Sequence, residues 1–391
     1  MKSIRRFVIA ALAVLLLLSG SAASAAEKEP GDMTSRCSIT VSENKNSLKN
    51  MTGSNYASFW QGKPGSVITV KTKGGDAAQG VCVSFHSAPA ALTARDLDGN
   101  VIGRGSARFE NDYIAFDRPV QGFTLTNADE NTVEISKLQV VQAGELPSWV
   151  QTWDILEEKA DMMLISTHPD DELLWFGGML PTYSRALGKK VMVVYMVGGN
   201  NPKRKNELLD GLWTCGVRYY PEIGCFPDMG ASSHDSVIRN WGEGEAEKRI
   251  VEMLRKYRPD VVVTQDIHGE YGHFHHIVTV EAAIQAVTAL SADETYAPET
   301  AALYGAWAPR KLYLHLYPEN QIIFDWRQPQ DCFDGKTSLQ VAKDAFKKHV
   351  SQQKGRYTVS DAGKLNCSVF GLYYSSVGPD TLHKDLFENI Q

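Results

Sequence analysis

The stretch ISTHPDDELLWFGG, residues 165–178, places a histidine, a proline and three consecutive carboxylates directly after a run of apolar residues. The apolar run, residues 162–167, is typical of a strand that is buried on both faces, as the strands of a parallel sheet are. Ligands of such sheets bind at the carboxyl ends of the strands. The stretch therefore predicts an α/β domain whose site begins at residues 168–172.

The rest of this half alternates apolar strands with helices. The pattern predicts strands over residues 162–167, 190–197, 261–264 and 311–316, and helices over residues 173–187, 202–215, 243–257, 276–290 and 338–350. Continuous apolar strands that alternate with helices indicate a Rossmann-like, mostly parallel sheet covered on both faces. We assign residues 146–391 to this domain.

The preceding residues show a different rhythm, with short β-rich runs separated by turns. The predicted strands cover residues 66–72, 80–86, 91–102, 112–117, 122–127 and 133–141. This is the pattern of an all-β sandwich, which we assign to residues 26–145. Together with the early aromatic cluster at residues 56–60, the order of features resembles the galactose-binding or discoidin-like jelly roll. Trp60 and Tyr56 would either stack on a sugar ring, which makes the sandwich a carbohydrate-binding module, or fill its core.

The first residues resemble a secretory signal. Lys2, Arg5 and Arg6 precede an apolar run at residues 7–18, and Ala-Ser-Ala follows at 23–25. The run is short for a membrane anchor, so we expect cleavage after residue 25, secretion and no stable membrane insertion. Cleavage removes three positive charges and takes the formal net charge from −6 to −9. This charge argues against nucleic acid as a partner; the oligomeric state is left open.

An even number of cysteines in an exported chain favours disulfides. Proximity along the chain suggests the pairs Cys37 with Cys82, Cys215 with Cys225, and Cys332 with Cys367.

A second polar cluster, DIHGEYGHFHHIVTVEA at residues 266–282, follows the predicted strand 261–264 and contains His268, His273, His275 and His276. Zinc takes histidine and aspartate ligands, and a catalytic zinc ion keeps a position open for water. Residues 168–172 alone would equally suit a helix start, where carboxylates are favoured. Two such clusters at strand ends favour a metal site, and the absence of HExxH disfavours a peptidase.

Taken together, residues 168–172 (HPDDE) and the Gly-His-x-x-His at 272–276 resemble the PIG-L or LmbE-like superfamily of zinc-dependent N-acetylglucosaminyl deacetylases. The resemblance implies that His168, Asp171 and His276 bind zinc and that Asp170 is the general base. It implies that His273 is the acid or the electrostatic partner of the oxyanion.

The resemblance extends to residues 370–380, which are similar to the end of secreted members, and to Arg204 and Glu207, which resemble an Arg-x-x-Glu element near the substrate. The chain departs from the common GHPDH form at His275, where the usual residue is aspartate. We expect His275 to be a substrate contact or a surface residue rather than a spare ligand. His268 is expected to be a loop residue, and Glu172 an outer partner or a helix-start charge.

The resemblance implies a secreted zinc enzyme that removes acetyl from N-acetylglucosamine units of a glycan or glycoconjugate. Amide hydrolysis fits these residue types, because it needs a metal-activated water, a carboxylate base and an acid for the amine. One alternative is a zinc amidase that acts on a non-glycan amide. Another is a glycan-binding protein with a degenerate catalytic domain.

Overall fold

The computed structural model describes residues 29–53, 56–293 and 295–390. The predicted signal segment, residues 1–25, lies outside the described residues, so secretion stays a prediction. Within the described ranges, none of the helices combines the length and apolar character that crossing a membrane requires.

The amino-terminal part forms two antiparallel sheets. Its strands are β1 (Cys37–Val41), β2 (Trp60–Gly62), β3 (Val67–Thr72), β4 (Ala78–Phe85), β5 (Leu92–Asp96), β6 (Val101–Arg104), β7 (Asn111–Val120), β8 (Gly122–Asn127) and β9 (Val133–Gln142), with one short helix, α1 (Leu48–Met51). One sheet has the order β1-β3-β8-β5-β6 and the other β2-β9-β4-β7. Apolar side chains from both sheets meet in one core, which gives the predicted sandwich.

The aromatic cluster of the sandwich is buried. The side chain of Trp60 belongs to the sandwich core, at 1% exposure, and its Nε1 donates a hydrogen bond to the carbonyl of Glu43 at 3.1 Å. Tyr56 is also buried. The core-packing alternative for Trp60 is therefore confirmed. The finer resemblance of the sandwich to a discoidin-like domain stays a prediction.

The second half contains the remaining regular elements. The strands are β10 (Met162–Ser166), β11 (Val191–Val197), β12 (Glu222–Phe226), β13 (Val261–Thr264), β14 (Lys311–His315), β15 (Gln321–Ile323) and β16 (Val369–Ser375). The α-helices are α2 (Asp171–Leu174), α3 (Pro202–Thr214), α4 (His234–Trp241), α5 (Glu245–Tyr257), α6 (Gly269–Gly272), α7 (Phe274–Ala292), α8 (Pro298–Tyr304) and α9 (Ser338–Phe346). Among the described residues of both halves, the 3₁₀-helices are Thr34–Arg36, Lys45–Ser47, Asp331–Phe333 and Val350–Gln352.

These strands form one sheet with the order β12-β11-β10-β13-β14-β16-β15. The pairings from β12 to β14 are parallel, and β16 runs antiparallel to both β14 and β15. Alternate residues of β10 enter two different cores, Met162 with Leu164 on one face and Met163 with Ile165 on the other. The prediction of a mostly parallel sheet covered on both faces is confirmed.

The helix predicted over residues 173–187 is interrupted. The helix α2 ends at Leu174, and a separate π-helical turn covers Pro181–Ala186. Gly177 has a φ of 50°, and a Cβ on it would lie 2.4 Å from Sγ of Cys367. The residue at this turn is glycine because its φ is positive and the close approach of Cys367 leaves no room for a side chain.

The sandwich packs against helix α3 through polar contacts. The hydroxyl of Tyr56 donates to Oδ2 of Asp210 at 2.8 Å, and Nε2 of Gln151 donates to Oδ1 of the same carboxylate at 2.6 Å. Closer to the start of α3, Nζ of Lys205 lies 2.7 Å from Oε1 of Glu110. The predicted boundary between residues 145 and 146 falls in the segment between β9 and β10.

The predicted disulfides are wrong, because all six cysteines are free thiols. Proximity along the chain did not predict proximity in space. Cys37 lies on β1 of one sandwich sheet and Cys82 on β4 of the other. The other two proposed pairs each combine a buried thiol, Cys215 or Cys367, with an exposed one, Cys225 or Cys332.

Candidate active site

The site lies at the carboxyl ends of β10 and β13. These strands are neighbours in the sheet, and β11 and β12 lie on the far side of β10, so the strand order reverses between β10 and β13. A reversal of this kind opens a crevice at the carboxyl ends of the strands. His168 follows β10, and His276 lies in the first turn of α7, beyond β13. The sheet therefore brings together two clusters that are about a hundred residues apart.

Three predicted metal ligands converge on one point. Nδ1 of His168 lies 3.0 Å from Oδ2 of Asp171 and 3.1 Å from Nε2 of His276, and the last two atoms are 3.2 Å apart. Adjacent ligands of one zinc ion, each bonded at about 2.0–2.2 Å, lie at about this separation. His168, Asp171 and His276, which we call the metal triad, therefore fit a divalent metal ion. His273 is close by, because ligand atoms of His168, His273 and His276 lie within 4.8 Å of one another.

Buried partners hold the metal triad in place. Nδ1 of His276 lies 2.5 Å from Oε2 of Glu270, whose other oxygen is 3.2 Å from Nδ1 of His315. The aspartate has its own partner, because Nε1 of Trp175 donates to Oδ1 of Asp171 at 2.7 Å. Such contacts fix the orientation of a ligand and, for histidine, the nitrogen that faces the metal.

The ionisation of the triad is opposed by burial and supported by its neighbours. Burial disfavours the charge of Asp171, but His276 and His168 outweigh this effect and hold its pKa well below the usual range. Burial likewise lowers the pKa of His276, yet Asp171 and Glu270 raise it to about 10. Without a cation, the cluster therefore favours an ionised Asp171 beside a protonated His276, and a bound metal ion would replace that proton.

Asp170 lies beside the triad without belonging to it. Its backbone has φ 122° and ψ −26°, which is strained for a residue with a side chain, and its amide donates to Oε2 of Glu172 at 2.7 Å. Burial, and after it the charge of Asp171, raises the pKa of Asp170 to about 7, against the opposing effect of Arg204. A carboxylate with a pKa near neutrality is suited to general base catalysis.

The two predicted substrate contacts on α3 have different surroundings. Nη2 of Arg204 donates to Oδ1 of Asp170 at 2.8 Å and also to the carbonyl of Pro169, and Arg204 lines the cleft. Glu207 is buried, and its carboxylate accepts hydrogen bonds from the amide and the hydroxyl of Ser351 at 2.9 and 2.5 Å. The structure does not bring Glu207 into the cleft; Glu207 instead holds the 3₁₀-helix Val350–Gln352 against α3.

His273 lines the cleft, whereas His275 lies behind His168. Burial and the charge of His168 lower the pKa of His273 to about 3, so its imidazole is neutral at pH 7. His275 is 1% exposed, and its Nδ1 lies 3.1 Å from Nε2 of His168. The expectation that His275 is a surface residue is therefore wrong, because α7 directs it inward, and it is not among the residues that line the cleft. His268 is exposed, as predicted for a loop residue.

The cleft over the triad has a volume of about 220 Å³. Aromatic side chains form one of its walls: the rings of Tyr271 and Tyr357 are stacked at 4.5 Å, and the ring of Trp175 lies 5.3 Å from that of Tyr357. Its polar lining residues include Arg204 and Asp228. Such a cleft offers apolar ring faces and polar groups to the same ligand.

The comparisons with known proteins agree with this geometry. Residues 163–287 match the PIG-L family, GlcNAc-PI de-N-acetylase. Residues 163–287, which we call the PIG-L region because of this match, contain every residue of the metal triad, together with Asp170, Arg204 and His273. Of the aromatic wall, Trp175 and Tyr271 lie within this region and Tyr357 lies outside it.

The chain also has curated relatives. A 1D-myo-inositol 2-acetamido-2-deoxy-alpha-D-glucopyranoside deacetylase 1 from Catenulispora acidiphila is 30% identical over 187 residues, which are 41% of this chain and 56% of the relative. This chain covers less than two thirds of the length of the curated relatives it matches.

The sequence identity to solved structures is lower than the identity to the curated relatives. An N,N'-diacetylchitobiose deacetylase from Pyrococcus horikoshii is 20% identical, covers 50% of this chain and 72% of its own, and has a TM-score of 0.37. The family 32 CBM of C. perfringens NanJ, solved in complex with galactose, is 10% identical, covers 27% of this chain and 94% of its own, and has a TM-score of 0.24. These TM-scores are too low to decide a fold, which rests on the sheets described above.

Several residues of the site were not found from the sequence. Glu270 lies three residues before His273, and this spacing by itself indicates no contact with His276. His315 and His349 are far from the PIG-L motifs in the chain, yet His349 lies 3.1 Å from the carboxylate of Glu172, with both side chains fully buried. Glu172 is thus an outer partner of the site, which was one of its two predicted roles.

Proposed function

We propose that this protein is a secreted, zinc-dependent deacetylase that removes the N-acetyl group from N-acetylglucosamine units of a glycan or glycoconjugate. One observation carries the proposal: the metal triad and the adjacent Asp170, with its raised pKa, meet in one cleft within the PIG-L region. The name of the Catenulispora relative, a deacetylase of an acetamido sugar, supports the substrate class. The signal-like residues 1–25 support secretion.

The metal triad would hold the zinc ion, which when bound polarises the amide carbonyl and lowers the pKa of its water toward about 7. Asp170 accepts the proton of the attacking water and then delivers a proton to the departing amine. Arg204 keeps Asp170 in position through their 2.8 Å contact. Because the imidazole of His273 is neutral, it donates a hydrogen bond to the oxygen on which negative charge develops.

The aromatic wall supports a sugar substrate. The apolar faces of a pyranose ring pack on aromatic rings, while its hydroxyls need polar partners. Tyr271, Tyr357 and Trp175 supply the rings, and Asp228 and Arg204 supply polar groups in the same cleft. The cleft is too small to bury a long sugar chain.

Acetate release tests the proposal. The purified protein would be assayed on chito-oligosaccharides, on an N-acetylglucosaminyl inositol and on a panel of non-sugar amides, with a chelator and after zinc is restored. We expect acetate from N-acetylated sugars only, lost with the chelator and recovered with zinc. Hydrolysis of the non-sugar amides alone would indicate the amidase alternative. Binding of glycans without any turnover would indicate the degenerate alternative.

A further inference from the structure

We propose that His275, Asp228 and the outer nitrogen of His168 form a second divalent metal site, with His168 bridging the two sites. Nε2 of His168 lies 3.1 Å from Nδ1 of His275 and 3.4 Å from Oδ1 of Asp228. The last two atoms are 3.9 Å apart, so the three ligand atoms lie within one ion's reach of each other. This site goes beyond the proposed deacetylase function and does not depend on it.

The two nitrogens of His168 face different sets of ligands. Nδ1 belongs to the metal triad, with Asp171 and His276, whereas Nε2 points to His275 and Asp228. An ion bound at Nδ1 leaves the imidazole proton on Nε2. A second ion takes the place of that proton, which is released to solvent, and His168 then binds one ion through each nitrogen.

The position of the second site gives an ion a path from the cleft. The side chain of Asp228 is 47% exposed and lines the cleft, while His275 is fixed behind it, with its ring stacked on that of Trp241 at 5.1 Å. The negative charges of Asp228, Asp171 and Glu270 would offset the charge of neighbouring ions. Two imidazoles and one carboxylate form a ligand set that zinc accepts.

The same contacts have a simpler explanation, in which His275 and Asp228 only accept the hydrogen bond of Nε2 and orient His168. The two explanations differ in stoichiometry. If His275 and Asp228 only orient His168, their loss weakens the affinity of the metal triad for its ion by about 10–100-fold, and the chain still binds one ion. If they are ligands, their loss abolishes the binding of a second ion, and the ion at the metal triad stays bound.

The experiment is a titration of the metal-free full chain with Zn²⁺ by calorimetry, with elemental analysis of the ions retained after gel filtration. The variants are Asp228→Asn, His275→Asn and, as a matched control for charge, Asp235→Asn, an exposed residue of α4. Asp228→Asn is the decisive variant because this half-exposed position tolerates substitution better than the buried His275.

We expect wild type and Asp235→Asn to bind a second, weaker ion and the other two variants to bind a single ion. The first Kd should change by less than about 100-fold. A single ion in wild type, or a second ion that persists in Asp228→Asn, would overturn the proposal. Because the readout is the number of bound ions, this result is independent of whether the protein deacetylates any sugar.

Discussion

The carboxylate of Glu270 lies 2.5 Å from Nδ1 of His276 and holds the opposite nitrogen of that ring toward Asp171. Glu270 reaches this position with a backbone of φ 56° and ψ −66°, a strained conformation for a residue with a side chain. Strain that persists in a fully buried pair is consistent with a functional constraint at this position. The contact leads to the first prediction.

Glu270→Gln should weaken zinc binding by about 10–100-fold, because the neutral amide orients His276 less firmly and makes it a poorer ligand. Competition with a fluorescent zinc chelator measures the change. Glu281→Gln, on the exposed side of the same helix that carries His276, is the control and should leave affinity unchanged. Equal affinities of Glu270→Gln and wild type would show that the contact does not support the metal.

Asp170 and Asp171 are adjacent, but substitutions of the two residues should have different effects. Asp170→Asn removes the proposed base, so kcat should fall by about 10²–10⁴-fold while zinc content is retained. Asp171→Asn should lose zinc itself. Asparagine is the suitable replacement because it tolerates positive φ better than most residues, which keeps the strained turn intact. Zinc loss from Asp170→Asn, or residual activity above about a tenth, would contradict the division of roles.

The contact between the sandwich and helix α3 should contribute to stability. Tyr56→Phe removes the partly buried hydrogen bond to Asp210 and should lower the free energy of unfolding by about 1.5–3 kcal/mol, since the acceptor is charged. Urea denaturation measures it. Tyr296→Phe is the matched control, because its hydroxyl makes a similar contact to Glu247 at an exposed position, where about 0.5 kcal/mol or less is expected. Similar values for both variants would refute a specific role of the Tyr56 contact.

The number of free thiols can be measured with a thiol reagent. Cys225 and Cys332 are exposed and should react rapidly with a thiol reagent in the folded protein, whereas the other four should react only after unfolding. Burial raises the pKa of these slower thiols, which are Cys37, Cys82, Cys215 and Cys367. Fewer than six reactive thiols in denaturant without reductant would mean that a disulfide forms after all.

The sequence alone determined the two-part architecture, because strand and helix periodicity is local and follows from which side chains face the core. It also placed Asp170, Asp171 and His168 at a strand end, since they follow the apolar run directly. The long-range meeting of His168 with His276 was expected only from the two polar clusters at strand ends and the resemblance to a family. Each of the two polar clusters could be recognised because its residues are close together in the chain.

Tertiary structure alone decided the rest. The burial of Trp60 and His275, the free thiols and the partners Glu270, His315 and His349 depend on how distant elements pack. Residues with no regular spacing in the chain meet only when the sheet order and the helix positions are fixed, and side-chain contacts across layers have no sequence period. For this reason the two motifs and the resemblance they carry were enough to expect His168, Asp171 and His276 to lie together. The buried residues that hold these side chains, and the contacts of His168 with His275 and Asp228, could not be expected.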